Sequence, residues 1–234
     1  MSTYYQIFGG KINVVASDPA NPIKGQVWFN SGTPALKYQA LTVTGTWATG
    51  GNLGTARDFL AGAGTQTSGL GFGGYTAPPV VNSNATEEYN GTSWTAGGNL
   101  GTARRSLAGC GLQTVAAAFG GYATATSNAT EEYDGSTWTA GGNLGTARYG
   151  LAGAGTQTSA LGFGGSGPSA STEEYNGSAW TAGGNLGTAR RYLAGAGTQT
   201  AGLAFGGVTS TAKTTATEEY SPPGLAVTRT VTST

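Results

Sequence analysis

Four arginines and four glutamate pairs recur at constant phase along this chain and are its first candidates for chemistry. The arginines are Arg57, Arg104, Arg148 and Arg190, and the acidic pairs begin at Glu87, Glu131, Glu173 and Glu218. A guanidinium facing a carboxylate can tie neighbouring strands or sheets together through charge-assisted, even bidentate, hydrogen bonds. Alternatively, a ring of guanidinium forks can stay open for an anionic ligand. The charges are as regular as the rest of the sequence, which favours the structural tie. The chain contains no His, which removes the commonest general base, the Ser-His and Cys-His dyads and most zinc sites. Its single Cys110 takes the place of Ala63, Ala154 and Ala196 in L-A-G-x-G, and a small buried thiol is expected there. The loops G-G-N-L-G-T-A-R lack a P-loop Lys and open no helix, so they make no phosphate cradle. We expect no catalytic residue, no metal and no cofactor.

These residues are set in a repeat. W-T-A-G-G-N-L-G-T-A-R begins at Trp94, Trp138 and Trp180, and a variant, W-A-T-G-G-N-L-G-T-A-R, begins at Trp47; the spacings are 47, 44 and 42 residues. Each copy runs through its Arg into L-A-G-x-G, then a small-residue run ending F-G-G, then E-E-Y. A period in the forties with aromatics and Gly pairs at fixed phase points to propeller blades. Gly makes up 43 of 234 residues, well over double the usual ~7%; being periodic, it reads as turns and closely packed strands. No segment sustains a 3.6-residue apolar period, and Gly interrupts every helical candidate. In the first repeat the expected strands are Leu60 to Thr67, Gly69 to Gly74, Thr86 to Tyr89, and one at Trp94. The last two are joined at Asn90-Gly91, a strong hairpin signal that recurs as Asp134-Gly135 and Asn176-Gly177. Trp47, Trp94, Trp138 and Trp180 are expected to pack between sheets, each burying about 200 Å², with carbohydrate stacking as the alternative role.

The fold expected is therefore all-β, a propeller of four-stranded blades, with a solenoid as the alternative. The repeats run 57–103, 104–147, 148–189 and 190–220, and the last lacks its Trp strand. Residues 1–56 are atypical, with strands expected at Lys11 to Ala16, Gln26 to Asn30, Ala35 to Gln39 and Leu41 to Trp47. Segment 225–232 repeats the first-strand pattern L-A-x-x-x-T-x-T, and Ile7-Phe8-Gly9-Gly10 repeats a second-strand pattern. The N- and C-terminal strands are thus expected to close a fifth blade. Four blades plus a small N-terminal β-module is the alternative.

The order Arg57, Gly73-Gly74, Glu87-Glu88-Tyr89, Trp94, repeated along 57–220, resembles kelch repeats, which implies four-stranded propeller blades. The stretch G-Q-V-W-F-N-S-G-T-P-A-L-K-Y within Pro19 to Gln39 resembles a short β-module of bacteriophage tail and fibre proteins. The W-x-x-G-G-N-L-x-T-A-R wording resembles virion proteins of marine phages and implies a structural or host-recognition part of a virus particle. Asp134-Gly135-Ser136-Thr137-Trp138 resembles the turn of a sialidase Asp-box. Sialidases, however, use unequal arginines beside a Tyr nucleophile and an acid, whereas these charges are regular. Copper chemistry of the kind found in galactose oxidase, a kelch-type enzyme, needs His and is not available.

Net charge is zero, so nucleic acid has no electrostatic footprint to bind. No apolar run reaches the ~18 residues of a membrane helix. The opening Met-Ser-Thr-Tyr-Tyr-Gln has no signal-peptide pattern, so synthesis in a host cytoplasm and residence in a virion are expected. The repeats differ most in loops 75–86, 122–130, 166–172 and 208–217. A constant frame carrying different loops on one face is how repeat proteins build binding surfaces. The candidate ligand-binding residues are Tyr75, Pro78, Asn82, Tyr122, Ser166, Pro168, Thr209 and Lys213. The expected function is a non-enzymatic tail-fibre or decoration protein that displays loops for a host-surface glycan or receptor. Contacts with other virion proteins would run through residues 1–46, and a homo-oligomer is left open. A scaffold without a ligand is the alternative, and a sialidase-like glycan hydrolase is the third reading.

Overall fold

The computed structural model describes residues 4–7, 10–20, 26–38 and 47–222, with 4–7, 10 and 11 as backbone only. All of its named elements are strands. The chain forms two compact units, Met1–Thr49 and Gly50–Thr234. This boundary lies before the expected one at residue 56, because Gly50 to Ala56 belongs with the first repeat. Gly51 N–H donates to the Thr92 carbonyl at 3.1 Å, and Gly54 N–H to Glu87 Oε2 at 2.6 Å.

Each repeat is an antiparallel meander. The first sheet holds, in spatial order, Ala61–Thr65, Ser68–Phe72, Thr86–Tyr89 and Trp94–Ala96. The second holds Ala108–Leu112, Val115–Phe119, Thr130–Tyr133 and Trp138–Ala140. The third holds Ala152–Thr156, Ser159–Phe163, Thr172–Tyr175 and Trp180–Ala182. The fourth stops at three strands, Ala194–Thr198, Ala201–Phe205 and Thr217–Tyr220. Ser221 and Pro222 follow where the other repeats have Asn or Asp and Gly, and the sequence holds no further Trp.

The hairpins before each Trp depart from the expected tight Asn-Gly turn. Four residues, Asn90 to Ser93, separate the paired Tyr89 and Trp94. Only Gly91 takes a left-handed φ, +90°. Asn90 instead closes the loop with its side chain, its Oδ1 accepting from Thr92 N–H at 3.0 Å and Ser93 N–H at 2.9 Å. Short polar side chains compete well for such backbone donors. Asp134 and Asn176 do the same. The Asp-box-like wording at Asp134 is therefore a turn motif shared with two asparagines.

The core sits between consecutive sheets. Phe72, Leu70 and Ala61 of the first repeat pack with Leu107, Ala116, Ala118 and Tyr133 of the second, and equivalent clusters join the second to the third and the third to the fourth. Glycine permits the approach. A Cβ on Gly109 would lie 2.5 Å from Phe72 Cζ, and one on Gly153 would lie 2.7 Å from Phe119 Cζ. Trp138 packs on Phe72 of the preceding sheet at 4.9 Å and donates from Nε1 to Thr86 Oγ1 at 2.9 Å. Trp180 repeats both contacts with Phe119 and Thr130. Trp47, expected to pack in the same way, is fully exposed, at 104%.

The N-terminal unit has its own mixed sheet of Tyr4–Ile7, Gly10–Val15, Val27–Asn30 and Ala35–Tyr38. Its middle pair is parallel, so it is not a meander of the repeat type. Asp18 organises its long connection, accepting from Trp28 Nε1 at 3.0 Å, Asn30 Nδ2 at 2.7 Å and Lys37 Nζ at 2.6 Å. The closing strand expected at 225–232, Phe8 and Gly9 of the first F-G-G, Gln39, and residues 41–46 of the strand before Trp47 lie outside the described residues.

Candidate functional site

The repeat charges are turned inward. Arg57, Arg104, Arg148 and Arg190 pair through Nη2 with Glu87, Glu131, Glu173 and Glu218 at 3.0, 2.9, 2.8 and 2.9 Å. The pairing is within one repeat and is not the bidentate fork considered from sequence. In the third repeat Arg148 Nη1 donates to the Gly164 and Ser171 carbonyls, while Glu173 Oε2 accepts from Gly145 N–H. One guanidinium and one carboxylate thus tie the entry segment, the second strand's end and the third strand. Burial pushes the pKa of Arg57, Arg104 and Arg148 down, opposed by the facing glutamate. Each of the four Nε atoms has no protein acceptor. The second glutamate of each pair works between sheets: Glu88 accepts from Tyr133 Oη at 2.5 Å, Glu132 from Tyr175 Oη at 2.6 Å, and Glu174 from Tyr220 Oη. Cys110 is buried, and desolvation pushes its thiol up to about 12, the reverse of what a nucleophile needs.

The open chemistry lies at the segment that follows each arginine. Phe59, Ser106, Gly150 and Tyr192 occupy one phase, two residues after the repeat Arg, and all have φ between +49° and +63°. They form a staircase from sheet to sheet. Ser106 N–H donates to the Phe59 carbonyl, Gly150 N–H to Ser106, and Tyr192 N–H to Gly150, at 2.8, 2.7 and 2.7 Å. Left-handed non-Gly residues cost about 1–3 kcal/mol each and gather at functional positions. Here they line a basin of about 490 Å³ formed by Phe59, Tyr75, Arg105, Ser106, Tyr122, Tyr149 and Tyr192, within the ~300–1,000 Å³ usual for ligand sites.

Arg105 is the charged centre of the basin. Its guanidinium lies 4.6 Å from the Tyr75 ring centroid and 4.8 Å from that of Tyr122, and Nη1 donates to Asn82 Oδ1 at 2.8 Å. Asn82 is itself held, donating to the Tyr122 and Ala123 carbonyls. Tyr122 meets Tyr149 edge-on at 5.7 Å, and Tyr149 lies 6.2 Å from Tyr192. The result is a row of tyrosine faces and hydroxyls around one positioned cation.

Of the residues singled out from sequence, Tyr75 and Tyr122 line this basin and Asn82 positions Arg105. Ser166 Oγ accepts from Tyr149 N–H at 3.3 Å and so holds the backbone of a basin residue. Pro78 is exposed and Pro168 half-buried, and neither lines it. Thr209 closes its own loop on Ala212, and Lys213 is exposed, paired through backbone to Val208. Sequence reasoning missed Phe59, Arg105, Tyr149 and Tyr192. The signal was available: between T-A-R and L, the pairs D-F, R-S, Y-G and R-Y are different in every repeat.

Compared with known proteins, the chain matches no family model and no curated protein.

Proposed function

We propose that the four sheets are blades of a kelch-like, propeller-type array whose role is non-enzymatic display of the Tyr–Arg basin to a surface glycan. The observation that carries this reading is the contrast between two sets of charges and rings. The repeat arginines are committed to carbonyls and glutamates, whereas Arg105 and the four basin tyrosines, which lie outside that constant set of ties, face one hollow. Tyrosine offers rigid, amphipathic contact area with little rotamer entropy to lose, and a pre-hydrogen-bonded basin keeps the ordering cost of binding low. The wording of the repeat and of the N-terminal module supports placing such a protein in a phage particle, as a tail-fibre or decoration component. The regular, internally paired arginines favour binding over hydrolysis.

The test is a glycan array probed with the wild-type protein and with Tyr122→Ala/Tyr149→Ala, reading both retention and release of labelled sugar. Retention lost in the double variant, whose fold is checked by circular dichroism, is the expected result. Equal retention by both proteins would remove the basin from the reading, and release of sugar would overturn the non-enzymatic assignment.

A further inference from the structure

The clamps of the frame leave three cations over, and these collect on the basin's side of the repeats. Arg57, Arg104, Arg148 and Arg190 are each committed to a glutamate of their own repeat. Arg105, Arg191 and Lys213 form no ion pair among the described residues. Arg105 and Arg191 hold one phase, directly after the repeat arginine. They are tied alike, Arg105 bridging Tyr122 and Arg191 bridging Val208. Val208 bridges Lys213 on its other side. Directly paired residues project to the same face of a sheet, so Arg191 and Lys213 share a face, roughly 10 Å apart at twice the strand spacing. At the same phase the first repeat has Asp58 and the third Tyr149, and the variable loops add no charge besides Lys213. This rim therefore carries three cations to one carboxylate, in a chain of zero net charge.

The two arginines stand at the ends of one aromatic row. The Arg105 guanidinium lies 4.8 Å from the Tyr122 ring, Tyr122 lies 5.7 Å from Tyr149, Tyr149 lies 6.2 Å from Tyr192, and Tyr192 lies 5.4 Å from the Arg191 guanidinium. The row is held from behind. Asn82 fixes Arg105 through Nη1, and Ser166 holds the Tyr149 backbone. Tyr192 lies on Gly150, where a Cβ would come 2.8 Å from its Cε1. Donors stay open at both ends: Nε and Nη2 of Arg105 and both Nη groups of Arg191 have no acceptor among the described residues and are not buried. All of these residues belong to the repeat unit, Gly50–Thr234.

We propose that the basin takes an acidic linear glycan and grips it at two points. One carboxylate of the chain lies on the open edge of the Arg105 fork, and a second, further along, lies between Arg191 and Lys213. The sugar rings between them run over Tyr122, Tyr149 and Tyr192. A planar guanidinium matches a carboxylate through paired donors, and the tyrosines supply flat contact area with little rotamer entropy to lose. This inference rests on the glycan reading above and names the class of glycan.

The test is calorimetric titration of the full chain with oligogalacturonates and oligosialates, as disaccharides and octasaccharides, beside their carboxyl-reduced neutral counterparts. The acidic octasaccharides are expected to bind roughly ten- to a hundredfold more tightly than the neutral ones, with the difference shrinking in high salt. Arg105→Gln is expected to weaken acidic disaccharide and octasaccharide alike. Arg191→Gln/Lys213→Gln is expected to erase the octasaccharide's advantage over the disaccharide. If Arg105→Gln does not fold, Arg105→Lys replaces it, keeping the charge and losing the fork, with weakened binding of both lengths expected. Neutral oligomers that bind as tightly as acidic ones, and lose binding in Tyr122→Ala/Tyr149→Ala, overturn this inference and leave the glycan reading standing. Binding of neither class removes the glycan reading itself and this inference with it. A folded Arg105 variant that binds like wild type, or an octasaccharide advantage that survives the loss of Arg191 and Lys213, overturns the two-point grip.

Discussion

Replacing Glu173 by Gln is a direct test of the buried ion pairs. Glu173 Oε1 faces Arg148 Nη2 at 2.8 Å and Oε2 accepts from Gly145 N–H at 2.6 Å. Both oxygens therefore meet donors. A glutamine keeps one acceptor, and its NH₂ must oppose either the guanidinium or the glycine N–H. The Arg148 side chain is 1% exposed and that of Glu173 is 9% exposed, so water cannot compensate. Leaving one buried charge unpaired costs about 3–5 kcal/mol. The same substitution at Glu218 is milder, roughly 1–2 kcal/mol, because that side chain is 27% exposed and solvent screens the loss. The assay is urea unfolding followed by tryptophan fluorescence, with Arg148→Met/Glu173→Gln as the third protein. Removing both charges is expected to recover part of the loss. A cost under about 1 kcal/mol for Glu173→Gln, or equal costs at positions 173 and 218, would refute the view that these pairs are buried clamps.

Other outcomes follow from the same geometry. Hydrogen bonds led by that from Lys37 hold Asp18 at about 2, below its ordinary 3.8. Its contribution is therefore complete above the unfolded value and lost as pH falls through about 2, which an acid titration read on the Trp28 indole resonance will show. Tyr133, Tyr175 and Tyr220 are pushed up to about 12, first by desolvation and then by the glutamate that accepts their hydroxyl. Stability should therefore decline as pH rises from about 10 towards about 12, measurable by thermal melts in alkaline buffers. Gln157→Ala removes both donations to the preceding sheet and is expected to cost about 1–3 kcal/mol by chemical denaturation. Gly109→Ala drives a methyl into Phe72 at 2.5 Å, and a loss of about 1–3 kcal/mol is expected.

The frame was legible because its contacts repeat with the sequence. The arginine and the first glutamate of each pair keep one phase, and their tie is local to one sheet, so charge counting and spacing were enough to suggest it. The second glutamate and the hairpin glutamine keep phase just as well. Their partners, however, lie on the neighbouring sheet, and no spacing within one repeat could name Tyr133 for Glu88 or the Tyr133 carbonyl for Gln157. The turn at Asn90 was located correctly but given the wrong mechanism, since the side-chain oxygen rather than a left-handed backbone at Asn90 closes it.

The candidate site divides in the same way. Variation between repeats pointed to the long loops, and Tyr75 and Tyr122 came from there. Arg105, Tyr149 and Tyr192 sit in two-residue gaps inside the most constant wording, where a search for variable loops does not look. Periodic Gly, Trp and charge by themselves determined the all-β class, the four-stranded unit and its meander order, because those depend on neighbours close along the chain. Which tyrosines meet across repeats, and which glutamate serves its own sheet and which the next, were decided by the stacking of sheets. Stacking brings together residues some forty positions apart, and the fit depends on the approach that Gly109 and Gly153 allow to the phenylalanines behind them.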